Sequence, residues 1–96
     1  MRDTPNNELI KFGTEPLKFE IASEVYVIFS FKKYVPVLDL TEIKSNRKRS
    51  FVVSASSVAM ALERIRPLND GSLVGTMVWI HRESEDKMAR YVIEIA

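Results

Sequence analysis

The sequence contains no cysteine, a single histidine and three glycines, and each shortage excludes a class of site. Without cysteine there is no disulfide framework, no thiolate metal site and no cysteine nucleophile. Because Gly13, Gly71 and Gly75 lie far apart, no glycine-rich phosphate loop is present. No apolar run approaches the ~20 residues that a membrane-spanning helix needs. The polar N-terminus lacks the apolar segment of a secretory signal. We therefore expect an intracellular protein without a membrane segment.

The single histidine, His81, has no catalytic partner in the sequence pattern. The serines lie in the stretch SASS and in polar turns, which do not resemble a nucleophile elbow. The carboxylates nearest to His81 are Glu83, Glu85 and Asp86, and they belong to a polar turn. The sequence thus predicts a protein that is not an enzyme, with no catalytic residues, no metal site and no cofactor.

The ninety-six residues are enough for one domain with a modest core. Apolar residues make up 46% and charged residues 28%, as in ordinary globular proteins. The net charge is only +1, but Lys44, Arg47, Lys48 and Arg49 lie within six residues that include no acid. A local cluster of this kind predicts a directed basic patch.

Residues 1–16 contain three strong breakers of regular structure, Pro5, Gly13 and Pro16. This composition predicts a flexible N-terminal arm over residues 1–16, followed by a single β-rich domain over residues 17–96. The apolar residues of the arm are expected to pack against the core or against a second copy of the chain. They are Leu9, Ile10 and Phe12.

Two stretches at the start of the domain alternate apolar and polar residues, which is typical of half-buried strands. Leu17–Ile21 is the first, Val25–Tyr34 is the second, and Ala22-Ser23-Glu24 separates them. One long strand bent at Ala22-Ser23 and two strands meeting at a corner both fit this pattern. In the second stretch one face carries Val25, Val27, Phe29 and Phe31. The outward face is expected to carry Tyr26, Ser30, Lys32 and Tyr34.

The chain then continues as two strands and a helix. Pro36 is expected to end the preceding strand, and Val37–Ile43 to form the next, with Asp39 pointing outward. Lys44–Arg49 is predicted as a basic turn and Ser50–Val53 as a short strand. Ser54 is expected to cap a helix that Pro67 ends. One apolar stripe of this helix faces the core, formed by Val58, Ala61, Leu62 and Ile65.

Leu73–Arg82 and Ala89–Ile95 are predicted to close the domain as a hairpin. The connection length favours a register in which Val78 and Ile80 share the core face with Tyr91, Ile93 and Ile95. Trp79 then lies on the partly exposed face beside His81. A slip of one residue would bury Trp79 instead.

Aromatic and basic residues in three segments predict binding of single-stranded nucleic acid. Bases stack on aromatic rings while cations hold the phosphates. The predicted interface consists of Tyr26, Lys32, Lys33, Tyr34, Lys44, Arg47, Lys48, Arg49, Trp79, His81, Arg82 and Arg90. Each segment also has an ordinary structural interpretation: a solvated turn, a tyrosine under the N-terminal arm, and a core tryptophan.

The order of elements resembles the OB-fold, in which a helix lies between the third and fourth strands of a five-stranded barrel. The segments that carry this resemblance are SASSVAMALERIRP and WIHRESEDKMARYVIEI. The second is similar to the C-terminal strands of small single-stranded DNA-binding proteins of archaea and their viruses or phages. The resemblance implies a small OB-like barrel, with a binding surface on strands two and three flanked by Lys33–Pro36 and Glu83–Met88.

The predicted fold is thus a β-rich α+β domain of five to six strands, either an OB-like barrel or a strongly curved antiparallel sheet. Its one helix is expected between strands three and four. The predicted function is non-catalytic, largely sequence-independent binding of single-stranded DNA or RNA. The alternative is a protein–protein interaction or assembly module, possibly a homodimer formed through the arm or an edge strand. In that alternative, the partner surface contains Met77, Trp79, Leu9, Ile10 and Phe12.

Overall fold

In a computed structural model, the chain is described over residues 4–30, 32–53, 56–86 and 88–96. Those residues form one six-stranded antiparallel sheet and one α-helix. The elements are β1 Leu17–Ile21, β2 Tyr26–Ser30, β3 Lys33–Glu42, β4 Arg47–Val52, α1 Ser56–Ile65, a 3₁₀-helix Arg66–Asn69, β5 Met77–Arg82 and β6 Tyr91–Ile95. The strand order is β2-β3-β1-β5-β6, with β4 on the other edge of β3. The predicted antiparallel sheet is confirmed, and over the described residues it is open.

The prediction that the helix lies between strands three and four is wrong, because α1 follows β4. The reason is the break after Ile21. Ile21 pairs with Leu40 and Tyr26 pairs with Val37. Four residues therefore lie between the paired ends of β1 and β2, whereas only two residues of β3 lie opposite them. The excess forms a bulge in which the Ser23 hydroxyl accepts a hydrogen bond from the Asp39 N–H at 3.0 Å. Of the two alternatives left open by the sequence, two separate strands is the correct one.

The expected alternation of β2 is present, but the expected burial of its two faces is wrong. Val27 and Phe29 are exposed, whereas Ile28 is buried. The hairpin of β2 and β3 extends beyond the core, so the face that holds Val27 and Phe29 loses its cover. Tyr34 lies opposite Phe29 and therefore shares that face, not the face of Tyr26. The prediction for Phe31 falls on a residue outside the described ones.

Strand β3 runs through Pro36, contrary to the prediction that this proline ends a strand. The Pro36 carbonyl accepts a hydrogen bond from the Val53 N–H at 2.9 Å, beyond the last paired residue of β4. The nitrogen and carbonyl of one residue point to the same side of an antiparallel strand. The missing N–H of Pro36 therefore faces the end of β4, where the ladder needs no donor.

Most of the predicted basic turn is strand. Arg47, Lys48 and Arg49 belong to β4, and only Lys44 lies in the connecting turn. Asp39, expected to point outward, is buried opposite Ser50. The prediction for Asp39 was wrong because the N-terminal segment covers this part of the sheet, and no local sequence pattern indicates that cover.

Residues 8–10 run along the outer edge of β4. The Ile10 N–H donates to the Ser50 carbonyl at 2.9 Å, and the Ser50 N–H donates to the Glu8 carbonyl at 3.0 Å. Phe12 then enters the core, where its ring makes edge-on contacts with Phe19, Phe51 and Tyr91. The N-terminal segment is therefore anchored to the sheet by backbone bonds and to the core by one ring.

Helix α1 covers the core with the predicted stripe, since Val58, Leu62 and Ile65 are buried. The predicted cap, Ser54, lies outside the described residues. In the closing hairpin, Val78 pairs with Ile95 and Ile80 with Ile93. The preferred register is thus confirmed, with Trp79 on the outer face, but Ile95 at the end of β6 is 49% exposed and does not join the core as predicted.

Candidate nucleic-acid interface

The tip of the β2–β3 hairpin carries two exposed aromatic rings and two lysines, which we call the hairpin patch (Phe29, Lys32, Lys33 and Tyr34). Phe29 and Tyr34 face each other across the strands, 44% and 65% exposed, with ring centroids 5.3 Å apart. Lys32 lies in the turn with a φ of 61°, and Lys33 begins β3; both are exposed. The sequence has no acid from Val25 to Leu38. The hairpin patch thus combines π-faces with uncompensated positive charge.

A groove of about 490 Å³ adjoins the hairpin patch. The N-terminal segment forms one wall with Pro5 and Leu9, and the sheet forms the other with Ile28, Val35 and Val52. Tyr34 and Lys33 lie at its margin on the hairpin. The groove therefore places an apolar surface next to Tyr34 and Lys33 of the hairpin patch.

Tyr26 lies under the N-terminal segment, which was the structural alternative for this residue. Its hydroxyl donates to Asp39 Oδ1 at 2.7 Å and accepts from the Asn6 N–H at 2.9 Å. Burial is the main cause that raises the pKa of Tyr26, and the nearby Asp39 adds to it. The hydroxyl therefore stays protonated at neutral pH and holds the N-terminal segment, away from the hairpin patch.

Two of the basic residues of β4 bind the N-terminal segment. The Arg47 guanidinium lies 3.1 Å from Glu8 Oε2 in an exposed ion pair. Arg49 Nη2 donates to the Leu9 carbonyl at 2.9 Å. Lys44 and Lys48 are exposed, and neither makes an ion pair within the described part of the chain. Of the four residues of the predicted basic turn, Lys44 and Lys48 are thus the cations that an external anion can reach without displacing a contact.

Trp79 is 40% exposed on the outer face of β5. The Lys18 ammonium lies 5.9 Å from the centroid of its ring, a cation–π contact. Glu94 is its cross-strand neighbour, and Glu15, Glu42 and Lys44 line the same shallow depression. Because acids and cations are mixed here, the surroundings of Trp79 favour a phosphate chain less than the hairpin patch does.

The other three predicted residues lie near the β5–β6 connection. His81 is half-buried, and its Nδ1 has no hydrogen-bond partner among the described residues. The Arg82 guanidinium donates to the Asp86 carbonyl and so folds over the loop. Arg90 is exposed, while its carbonyl accepts from the Glu83 N–H at 2.8 Å.

The twelve predicted residues do not form one surface. Trp79 pairs with Lys18 on β1, whereas Tyr34 pairs with Phe29 near the far end of β2, and β1 and β2 follow one another along β3. Phe29 belongs to the hairpin patch but was not among the predicted residues. Phe29 lies opposite Tyr34 because of the register of the β2–β3 hairpin. The sequence indicates this hairpin only weakly, because the turn residue with a positive φ is Lys32 and not the usual glycine.

Within the described residues, no group of three or more His, Cys, Asp or Glu side chains is placed to hold a metal ion. None of the helices described is long and apolar enough to cross a membrane. A scan of protein-family models, a search of curated proteins and a search of solved structures find no match to this chain.

Proposed function

We propose that the protein binds single-stranded nucleic acid, DNA or RNA, without reading its sequence, through the hairpin patch. The observation that carries the proposal is the pair of exposed rings, Phe29 and Tyr34, beside Lys32 and Lys33 on a hairpin without acids. A base stacked on an aromatic ring contributes ~1–3 kcal/mol, and every base has a π-face. Lysines that neutralise phosphates add a term that is independent of sequence.

The strand pairing supports an OB-like arrangement for this function. Strand β1 pairs with both β3 and β5, so one strand joins the two halves of the sheet. A single helix precedes the closing hairpin. The resemblance to small OB-fold single-stranded DNA-binding proteins implies a binding surface flanked by Lys33–Pro36. Two residues of the hairpin patch, Lys33 and Tyr34, lie in that segment. We therefore propose that the open sheet is a variant of that barrel and that Tyr34 is the principal stacking residue.

The remaining predicted residues contribute less in this proposal. Lys44 and Lys48 are free to hold phosphates, whereas Arg47 must first leave Glu8. Arg49 serves the N-terminal segment. The group around Trp79, with His81, Arg82 and Arg90, is a secondary contact at most, because Glu15, Glu42 and Glu94 surround the tryptophan.

Fluorescence anisotropy with a labelled oligo-dT at low salt tests the proposal. Tyr34→Ala should weaken binding by roughly 5- to 150-fold, the equivalent of one lost stacking contact. Met60→Ala is the matched control, because Met60 is 64% exposed on α1 against 65% for Tyr34. The proposal fails if the wild-type protein does not bind, or if both variants bind like the wild type.

The assembly alternative is also favoured by one observation, the exposed Val27 and Phe29 on a strand with a free edge. The partner surface first predicted for it does not hold together, since Phe12 is buried in the core. Oligonucleotide binding that is insensitive to salt, or absent in a protein that self-associates, would favour this alternative.

A further inference from the structure

The outer edge of β2 presents backbone groups without a partner among the described residues, and the hydrogen bonds show which groups these are. On β3, the Asp39 N–H and carbonyl bond to Ser23 and Ala22, so odd-numbered residues of β3 point towards the β1–β2 side. Val37 is odd and pairs with Tyr26, so Tyr26 and the other even-numbered residues of β2 point back to β3. The N–H and carbonyl groups of Val27 and Phe29 therefore point to the free edge.

Apart from its shortness, with five residues, this edge lacks the usual protections. Exposed strand edges are normally guarded by charged residues, proline or bulges within the strand, or covered by another element. Strand β2 reads YVIFS, has no charge or proline, and pairs only with β3 among the described elements. The other two edge strands described are protected: residues 8–10 cover the outer edge of β4, and β6 carries Glu94 and lies against α1. An unguarded apolar edge of this kind is a template for a further strand.

We propose that two copies of the chain pair through β2, antiparallel, about a twofold axis at Ile28. In that register Val27 bonds to the partner's Phe29 and Phe29 to the partner's Val27, so every free backbone group of the two residues gains a partner. The exposed Val27 and Phe29 side chains of the two copies then pack against each other on one face. A register centred on Val27 would place Phe29 opposite the partner's Val25, which lies outside β2.

The ends of the strand favour a second copy as the occupant. Glu24 precedes β2 and Lys32 follows it. Antiparallel pairing about Ile28 places the Glu24 end of one copy beside the Lys32 end of the other, so no like charges meet. A twofold contact also closes, because each copy uses its free β2 edge once. Tyr34 lies one strand in from this seam and stays accessible in the dimer, whereas Phe29, the other ring of the hairpin patch, packs at the seam. Base stacking by the dimer therefore depends on Tyr34.

Sedimentation equilibrium of the full chain tests the dimer. A mass of twice 11.0 kDa is expected at micromolar to millimolar protein concentration. Val27→Lys adds a charge to the edge and should give a monomer. Ile43→Lys is the matched control and should leave the dimer intact, because Ile43 is 42% exposed against 47% for Val27 but follows the end of β3 that β2 does not reach.

Val27→Pro tests the contribution of the Val27 backbone N–H to the dimer, separately from that of the side chain. It removes an N–H that points to the free edge, so the β2–β3 ladder and the folded monomer should survive while the dimer is lost. A wild-type protein that stays monomeric up to millimolar concentration would overturn the proposal. So would a dimer that persists in both Val27→Lys and Val27→Pro. If the monomeric Val27→Pro variant still binds oligo-dT, nucleic-acid binding does not require the dimer. The two proposals can then be tested separately.

Single cysteines test the register, because the chain has none of its own. Ile28→Cys should form a disulfide-linked dimer on mild oxidation, since facing non-hydrogen-bonded residues have Cα atoms ~4.5 Å apart. Val27→Cys alone should not, because its neighbour is the partner's Phe29. Ile28 is buried, so a double variant, Val27→Cys with Phe29→Cys, provides a second test with two intermolecular disulfides. Efficient cross-linking of Val27→Cys alone would contradict this register.

Discussion

The Tyr26 hydroxyl donates a hydrogen bond to Asp39 Oδ1 at 2.7 Å, on the face of the sheet that the N-terminal segment covers. Asn6 Nδ2 donates to the other carboxylate oxygen at 2.7 Å, and the Ser50 hydroxyl donates to Oδ1 at 2.7 Å. One buried carboxylate thus joins β2, β4 and the N-terminal segment. Buried polar groups are costly unless they are bonded, so loss of any donor should be measurable.

Tyr26→Phe should lower the free energy of unfolding by about 1–3 kcal/mol, because it removes one donor to a buried carboxylate and the acceptor of the Asn6 N–H. Urea unfolding at neutral pH measures the change. Tyr34→Phe is the control: the Tyr34 hydroxyl makes no hydrogen bond to the described residues, so its removal should have little effect. Equal effects of the two substitutions would show that the Tyr26–Asp39 bond contributes nothing.

Phe12→Ala should lower the free energy of unfolding by about 3–5 kcal/mol, the usual cost of deleting a buried phenylalanine. The ring fills the space between Phe19, Phe51 and Tyr91. Lys11→Ala, at the exposed neighbouring position, should change it little. This pair also tests the prediction of a flexible arm, because a loosely held segment would lose almost nothing with Phe12.

Glu24 should contribute stability that disappears in acid. The Leu73 N–H lowers the pKa of Glu24 most, burial opposes it, and Arg66, Ser72 and the Val74 N–H lower it further. A carboxyl group with a lowered pKa stabilises the fold fully above its ordinary pKa, and this contribution is lost as the pH falls through the lowered value. Glu24→Gln should therefore destabilise the protein at pH 7 and progressively less below about pH 4.

Urea unfolding from pH 7 to pH 3 measures this difference between the wild type and Glu24→Gln. Glu85→Gln serves as the control, because Glu85 lies in the exposed β5–β6 connection without an ion pair to the described residues. A wild-type-to-variant difference that does not change with pH would mean that the Glu24 charge is not the stabilising feature.

The sequence predicted the elements whose burial follows their own periodicity. The stripe of Val58, Leu62 and Ile65 and the register that exposes Trp79 both depend on local spacing and are confirmed. The break between β1 and β2 was anticipated only as one of two alternatives. Its cause is a bulge fixed by Ser23 and Asp39, which are distant in sequence.

The candidate site was predicted less well, because it depends on contacts between distant segments. The exposure of Phe29 follows from a hairpin that extends past the core, and the burial of Asp39 follows from a cover supplied by Asn6. Alternation identifies the two faces of a strand but not which one the rest of the chain will cover. Arg49 shows the same limit, since its bonds to Glu8 and Leu9 are set by the path of the N-terminal segment.

Lys33→Gln should reduce both the affinity for oligo-dT and its dependence on salt. Each phosphate contact with a single strand contributes a slope of about −0.7 to the plot of log affinity against log salt concentration, so the variant should lose about that much. Anisotropy titrations at a series of salt concentrations give the slope directly. Arg64→Gln removes the same charge from the exposed face of α1 and should leave the slope unchanged, because Arg64 lies outside the hairpin patch. If the two substitutions lower the slope equally, the protein attracts nucleic acid by its overall charge and the hairpin patch is not the contact.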